Sequence, residues 1–438
     1  MSTGRSFFSA AVRRYVLVLS VPGAARFFVP AAVARLGVAI SGLAVLWAVH
    51  GATGSFGRAG AATGAFAVAD AAAGPQIARL IDRWGQRRIV PVTASVFVAA
   101  GIGLVLACCS PAPAWVMAGL AAVAGATAPP VGALSAARWR ETLTGGETLT
   151  GRDVFTGRDA AGRRGDVGEG GGLGSAGQLP AAMALEGVLN DVTFLVGPLV
   201  VTALSATVAP WSGLVLVVVL VAGGMAGLLS AGATTPAPGR SAGGTVVDHR
   251  LVNRPFLVLF AANLAMGFFF GGIGVAITAF ALAQGAGAWG GVITAAGGVV
   301  SLGAGLAYGA RAKGQPTRVM IAASTAIALG CALLAATPSV PVMVLGYAFV
   351  GGCVALVLIP ASVVLQRVIE GEVFTQAMVW INSASAIGIA TAAPLVGHLI
   401  QHHGWPAGFL ALATLTTGVP LTLLIGYPAL NAAQHRPH

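Results

Sequence analysis

Four ionisable residues stand inside long apolar stretches of the chain: Arg35, Asp70, Glu186 and Asp191. A charge in such a setting is costly, so residues of this kind pair with one another, hold a proton or meet a cation. At about 1.5 Å per helical residue, Arg35 lies roughly 12 Å into its stretch, and Asp70 and Asp191 each roughly 13 Å into theirs. One arginine neutralises one acid. The common depth predicts Arg35 beside Asp70 or Asp191. The other aspartate, with Glu186, is then left to exchange a proton, because desolvation favours the neutral carboxyl. A static ion pair between two helices is the alternative use of the same residues. Glu186, Asn190, Thr193 and Gly197 recur at four, three and four residues and so share one helical face. This polar stripe is expected to face a central cavity rather than a neighbouring helix.

The second half of the chain carries no charge inside its apolar stretches. Its candidates for a cavity wall are Asn263, Asn382 and Ser385, with the aromatics Phe268, Phe269, Phe270 and Trp380. An aromatic wall opposite an acidic one suits a lipophilic or cationic small molecule. His398 and His402 stand one turn apart, a spacing that can bind zinc. No nearby acid or cysteine completes a ligand set, so neither a metal centre nor a cofactor is expected. Cys108, Cys109, Cys331 and Cys353 lie in apolar runs without ligand spacing and read as inert core residues. Phosphate loops, nucleotide motifs and catalytic triads are absent from the sequence.

The elements that must position these groups follow from composition. Of 438 residues, 56% are hydrophobic and 63 are glycine, while 8% are charged, against about 25% in soluble domains. Mean hydropathy is +0.86. So few polar side chains cannot cover a water-facing surface, which excludes a soluble enzyme. The runs are continuous rather than alternating, which excludes a barrel. Windows of about 20 apolar residues fall at 27–49, 59–80, 89–109, 114–136, 182–207, 210–232, 256–283, 289–310, 318–337, 340–365, 376–400 and 405–428. The expected fold class is an all-α membrane protein with twelve transmembrane helices in two pseudo-symmetric six-helix bundles.

Charge sets the expected orientation. Of the 24 basic residues, all but Arg35 and Arg58 fall on one set of alternate connections and the two termini. Both termini are therefore expected to be cytoplasmic in a multi-pass protein. The formal charge of +11 then reflects anchoring at one membrane face rather than nucleic-acid binding. Arginine outnumbers lysine 23 to 1, a bias typical of a GC-rich genome, so the expected site is a bacterial cytoplasmic membrane. The expected organisation is a segment 1–26, a first bundle 27–232, a linker 233–255, a second bundle 256–428 and a tail 429–438. Within the first bundle, residues 137–181 carry a six-residue quasi-repeat and a glycine run and are expected to be disordered.

The two halves repeat each other. Arg26-Phe27-Phe28 before the first window matches Arg254-Pro255-Phe256 before the seventh. Gly197-Pro198-Leu199-Val200 in the fifth matches Ala393-Pro394-Leu395-Val396 in the eleventh, and Trp211 matches Trp405. After the second window comes Ala78-Arg79-Leu80-Ile81-Asp82-Arg83-Trp84-Gly85-Gln86-Arg87-Arg88. This segment resembles the G-x-L-x-D-R-x-G-x-R-R pattern of the major facilitator superfamily, with Ala78 in place of the opening glycine. The resemblance implies a gating loop made by Asp82, Arg83, Gly85, Arg87 and Arg88. The fifth window partly resembles a proton-coupled exporter pattern: Gly187 and Gly197-Pro198 are present, and Val201-Thr202 replace the final glycines.

The resemblance implies a monomeric secondary transporter working by alternating access, with a small molecule, protons and the lipid bilayer as partners. Proton-coupled export of a lipophilic or cationic molecule is the expected activity. Uptake or facilitated transport of a metabolite is the alternative. A lipid-modifying membrane enzyme and a non-transporting sensor are the rivals from other classes.

Overall fold

The computed structural model describes residues 19–150, 175–235, 253–311, 315–369 and 374–434. The centre of the 137–181 insertion, most of the linker and both chain ends lie outside the described residues, as do the side chains of Asp82 and Asp191.

Helices follow one another almost without interruption. The first bundle holds α1 (Ala24–Thr53), α2 (Phe56–Trp84), α3 (Gln86–Cys108), α4 in two segments (Ala114–Ala126 and Val131–Thr150), α5 (Ser175–Thr207) and α6 (Ser212–Ser230). The second holds α7 (Arg254–Ala283), α8 (Trp289–Arg311), α9 (Pro316–Leu334), α10 (Val340–Val368), α11 (Phe374–His403) and α12 in two segments (Trp405–Thr416 and Gly418–Ile425). A short helix, Tyr427–Gln434, follows. Eleven of the twelve spans are long and apolar enough to cross a membrane by composition alone. The exception is α2. Its 29 residues reach about 43 Å at 1.5 Å each, ample for a bilayer core of about 30 Å. Asp70, Gln76, Arg79 and Asp82 dilute its apolarity.

The repeat seen in the sequence is present in the packing. α1 lies on α6 as α7 lies on α12, and α2 lies on α4 as α8 lies on α10. The bundles meet along α2 with α11 and α5 with α8. We call the membrane face carrying the α2–α3 and α6–α7 connections the basic face and the other the neutral face.

The α2–α3 turn depends on Gly85. Its φ of 85° is a left-handed value that other residues rarely adopt. Its N–H caps Ile81 O at 2.7 Å, and α3 starts at the next residue.

The structure departs from the sequence reading around α4. Pro129 and Pro130 break this helix, since each lacks an N–H and disfavours helical geometry in the residue before it. The helix restarts at Val131 and runs to Thr150, and α5 already begins at Ser175. Both ends of the segment expected to be disordered are therefore helical. Buried Arg138 and Trp139 hold the first of those ends in the bundle. Among the cysteines, Cys331 and Cys353 are buried as expected, whereas Cys109 is exposed.

Along both bundle interfaces the contact is tight toward the neutral face. A Cβ at Gly60 of α2 would stand 2.5 Å from Ala393 O of α11, and one at Gly397 of α11 would stand 2.5 Å from Phe56 O. A Cβ at Gly291 of α8 would stand 2.8 Å from Leu199 Cα of α5. Toward the basic face, the same helical faces are uncovered. Val68 and Ile387 are exposed on α2 and α11, as are Val188 and Leu302 on α5 and α8. The bundles thus close at the neutral end and part at the basic end.

Candidate functional site

Arg35 pairs with Glu186 rather than with Asp70 as expected; the other expected partner, Asp191, has its side chain outside the described residues. Arg35 Nη1 lies 2.6 Å from Glu186 Oε2. Its aligned hydrogen bond goes instead to the Glu186 main-chain carbonyl, 3.2 Å away, so the carboxylate contact is an ion pair without a hydrogen bond on Oε2. The other carboxylate oxygen, Oε1, accepts from Ser135 Oγ and from Trp139 Nε1, the latter at 3.1 Å. Three helices therefore converge on one carboxylate. The restart of α4 at Val131 brings this about, because Ser135, Arg138 and Trp139 then share one helical face. Gly132 leaves room for the guanidinium: a Cβ there would stand 2.5 Å from Arg35 Nη2. Trp139 is fully buried, edge-on to Phe27 of α1 with ring centres 4.9 Å apart.

Sequence reasoning missed Trp139 because it ended the fourth span at residue 136, and passed over Ser135, just inside that end, because it carries no charge. Their four-residue spacing was the available signal. The depth estimate failed for a related reason. Glu186 stands one turn nearer the basic face than Asp191, and a long arginine side chain covers that offset.

The stripe on α5 packs against α1 instead of facing a cavity. Glu186 and Thr193 are buried, and Gly197 lies against the Ile40 side chain. Asn190 alone of the stripe is exposed. On the opposite bundle, Phe269 is buried in helix packing, 1% exposed and edge-on to Phe270, so it is no cavity wall in this conformation. Asn263 turns its amide back onto Leu259 O of its own helix, at 3.0 Å. Trp380 is half-buried and Asn382 exposed.

Asp70 differs from Glu186. It lies seven residues beyond Thr63, two turns along the same face of α2, and Thr63 Oγ1 approaches Gly42 O of α1 at 3.5 Å. At Asp70 that face is exposed. Among the described residues it has no ion-pair partner. Asp70, Asn190 and Asn382 are thus exposed polar groups on α2, α5 and α11, Asn190 on the α1-facing side of its helix.

Arg138 forms a second polar centre. The sequence places it in a connection, yet it is 1% exposed. Its guanidinium donates to Gln86 Oε1 at 3.1 Å, Leu228 O at 2.8 Å, Ala231 O at 3.1 Å and Thr234 Oγ1 at 3.3 Å. Arg87 of the α2–α3 turn donates to Gly232 O at 2.6 Å. Two arginines therefore satisfy the carbonyl end of α6, where a helix leaves acceptors unpaired and favours positive charge. Arg83 and Arg88 are exposed. Arg138→Leu should lower stability by about 3 kcal/mol, the cost of stranding buried acceptors. Thermal melting of purified protein checks this, with exposed Arg88→Gln as the unaffected control.

Solved structures share the fold. A mutant of the nucleoside transporter NupG superposes with a TM-score of 0.67 at 14% identity, over 91% of this chain and 98% of that one. The fold is that of the major facilitator superfamily. A D-xylose-proton symporter gives 0.66 at 12% identity, over 93% and 98% of the two chains. A mutant of a peptide transporter, POT, gives 0.65 at 14% identity, over 96% and 99%. The sequence model of the Major Facilitator Superfamily matches residues 311–437. No curated protein sequence gives a significant match. At these identities the superfamily likeness is one of fold.

Proposed function

We propose that the protein is a secondary transporter, not an enzyme, that carries a small molecule by alternating access to a space between its bundles. The observation that carries this reading is the interface itself, sealed at the neutral half and uncovered at the basic half, where Val68, Ile387, Val188 and Leu302 are exposed. Repeated bundles that rock against each other move such a space from one membrane face to the other. The likeness to nucleoside, peptide and xylose transporters supports the same reading.

With Glu186 engaged by Arg35, Asp70 becomes the coupling carboxyl. It sits within a membrane-spanning helix without an ion-pair partner among the described residues, where it can take up a proton or attract a cationic solute. The transport direction we assign is export, coupled to inward proton flow, by a monomer in a bacterial plasma membrane with its basic face in the cytoplasm. The loop Asp82–Arg88 then serves as the latch between bundles.

Proteoliposomes with an imposed pH gradient test this. Challenged with tetraphenylphosphonium, nucleosides, xylose and dipeptides, wild-type protein should move at least one class saturably. Asp70→Asn should abolish the response to the gradient while leaving binding of that compound. Full gradient-driven flux in Asp70→Asn would remove Asp70 from the mechanism, and absence of flux for every class would count against transport of these solutes. Asp82→Asn should slow flux without lowering the yield of folded protein. Wild-type flux in that variant would count against the latch.

A further inference from the structure

We infer that His398 and His402 form a chelating site for a divalent first-row transition-metal ion, and that the bound ion stiffens the turn of α11 that seals the bundles. The two imidazoles stand at i and i+4 on one face of α11, both exposed, with ring centres 4.5 Å apart and planes at 59°. A tetrahedral ion holds two nitrogens at about 2.0–2.1 Å each, hence about 3.3 Å from each other. Rings at this separation reach that geometry by side-chain rotation. Imidazole suits zinc, copper and nickel.

The position favours a cation for a second reason. These are the last turns of α11, where Gly404 N–H caps Ile400 O at 2.9 Å. The carbonyl end of a helix attracts positive charge. Among the described residues no cluster of three or more His, Cys, Asp or Glu exists, and the His403 ring centre is 6.4 Å from that of His402. Water completes the coordination, so the ion exchanges with solution and is not a resident structural metal.

The same turn closes the molecule. Gln401, between the two histidines, accepts the Phe56 N–H of α2 at 2.9 Å. A Cβ at Gly57 of α2 would stand 3.8 Å from His398 Cα. A clip from residue 398 to residue 402 restrains the backbone that carries both contacts. The ion therefore favours the conformation sealed at the neutral face.

Calorimetry with Zn2+ on the full chain, purified through a tag without histidine, tests the site, and binding is read separately from transport. One saturable event is expected for wild type and for His403→Ala. His398→Ala and His402→Ala should each weaken it at least about tenfold, since even changes in the outer shell of metal sites cost about 10–100-fold. Amide exchange across residues 398–403 should slow when zinc is added, and should not in the double variant. Unchanged affinity in the double variant, an adventitious ion only, would overturn the site. Binding without slower exchange would overturn the stiffening of the seal.

Discussion

Arg35→Ala should destabilise the folded protein by about 3–5 kcal/mol, the usual cost of removing one partner from a buried ion pair. Glu186 is left with a side chain 9% exposed and no cation. Its bonds from Ser135 and Trp139 remain, but neutral donors do not replace a guanidinium. Arg35→Ala combined with Glu186→Gln should cost much less, because no charge is stranded. The double-mutant cycle, read by thermal melting in detergent, isolates the coupling. Near-additive losses would mean that the pair contributes no specific energy and that the single-mutant effect is packing alone. Trp139 supplies a local check. Its indole N–H donates to the same carboxylate, so its fluorescence should change in Glu186→Gln even where melting barely moves.

How far the sequence disclosed this molecule depends on the range of the interaction being read. Span number, span length and charge asymmetry are sums over twenty or more residues, and the helical order follows them closely. α2 is informative because, alone among the twelve spans, it is not apolar enough to qualify by composition. It was legible as the apolar window 59–80 and because leaving it out would scramble the alternation of basic connections. The identity of Arg35's partner is a different kind of fact. Depth along a helix is readable at 1.5 Å per residue, but azimuth toward a particular neighbour is not. Arg35 turns toward α5, whereas Asp70 opens onto the parted interface. The break at Pro129-Pro130 mattered most. It moved the end of α4 and carried Arg138 and Trp139 into the bundle, so that the two residues that organise the polar interior were read as a loop.

The polar centres divide the work between them. Glu186 and Arg138 sit inside the first bundle, with every contact named here made within that bundle or to the root of the linker. They tie five of the bundle's six helices, α1 and α3 to α6, into one body. The seal between bundles uses glycines, alanines and main-chain atoms, and includes the hydrogen bond from Phe56 N–H to Gln401 Oε1. An interface of small residues gains its stability from close approach and has few directional bonds to break. That combination, a rigid body and a weakly bonded seam, is what rocking requires.

The seam is the place where a single substitution should act most selectively on function. Gly60→Leu adds a branched side chain where even a Cβ would stand 2.5 Å from Ala393 O and 3.2 Å from Pro394 Cα. Both are positions on a packed helix and cannot yield as a flexible side chain would. Overpacking costs about 1–3 kcal/mol, which shifts the balance away from the sealed conformation by about 5- to 150-fold. The bundles themselves are untouched, so yield and melting temperature should stay close to wild type. Asn382→Cys, exposed on the parted side, reports the shift in a background with Cys108 and Cys109 replaced by serine. Its labelling by a maleimide applied from the basic face should slow by at least about fivefold in Gly60→Leu, and flux should fall with it. Gly397→Leu should do the same, because a Cβ there meets Phe56 O. Gly119→Leu is the control, since a Cβ at Gly119 meets nothing within 4 Å. Labelling and flux that stay at wild-type levels in both seam variants would show that the bundles do not separate along α2 and α11.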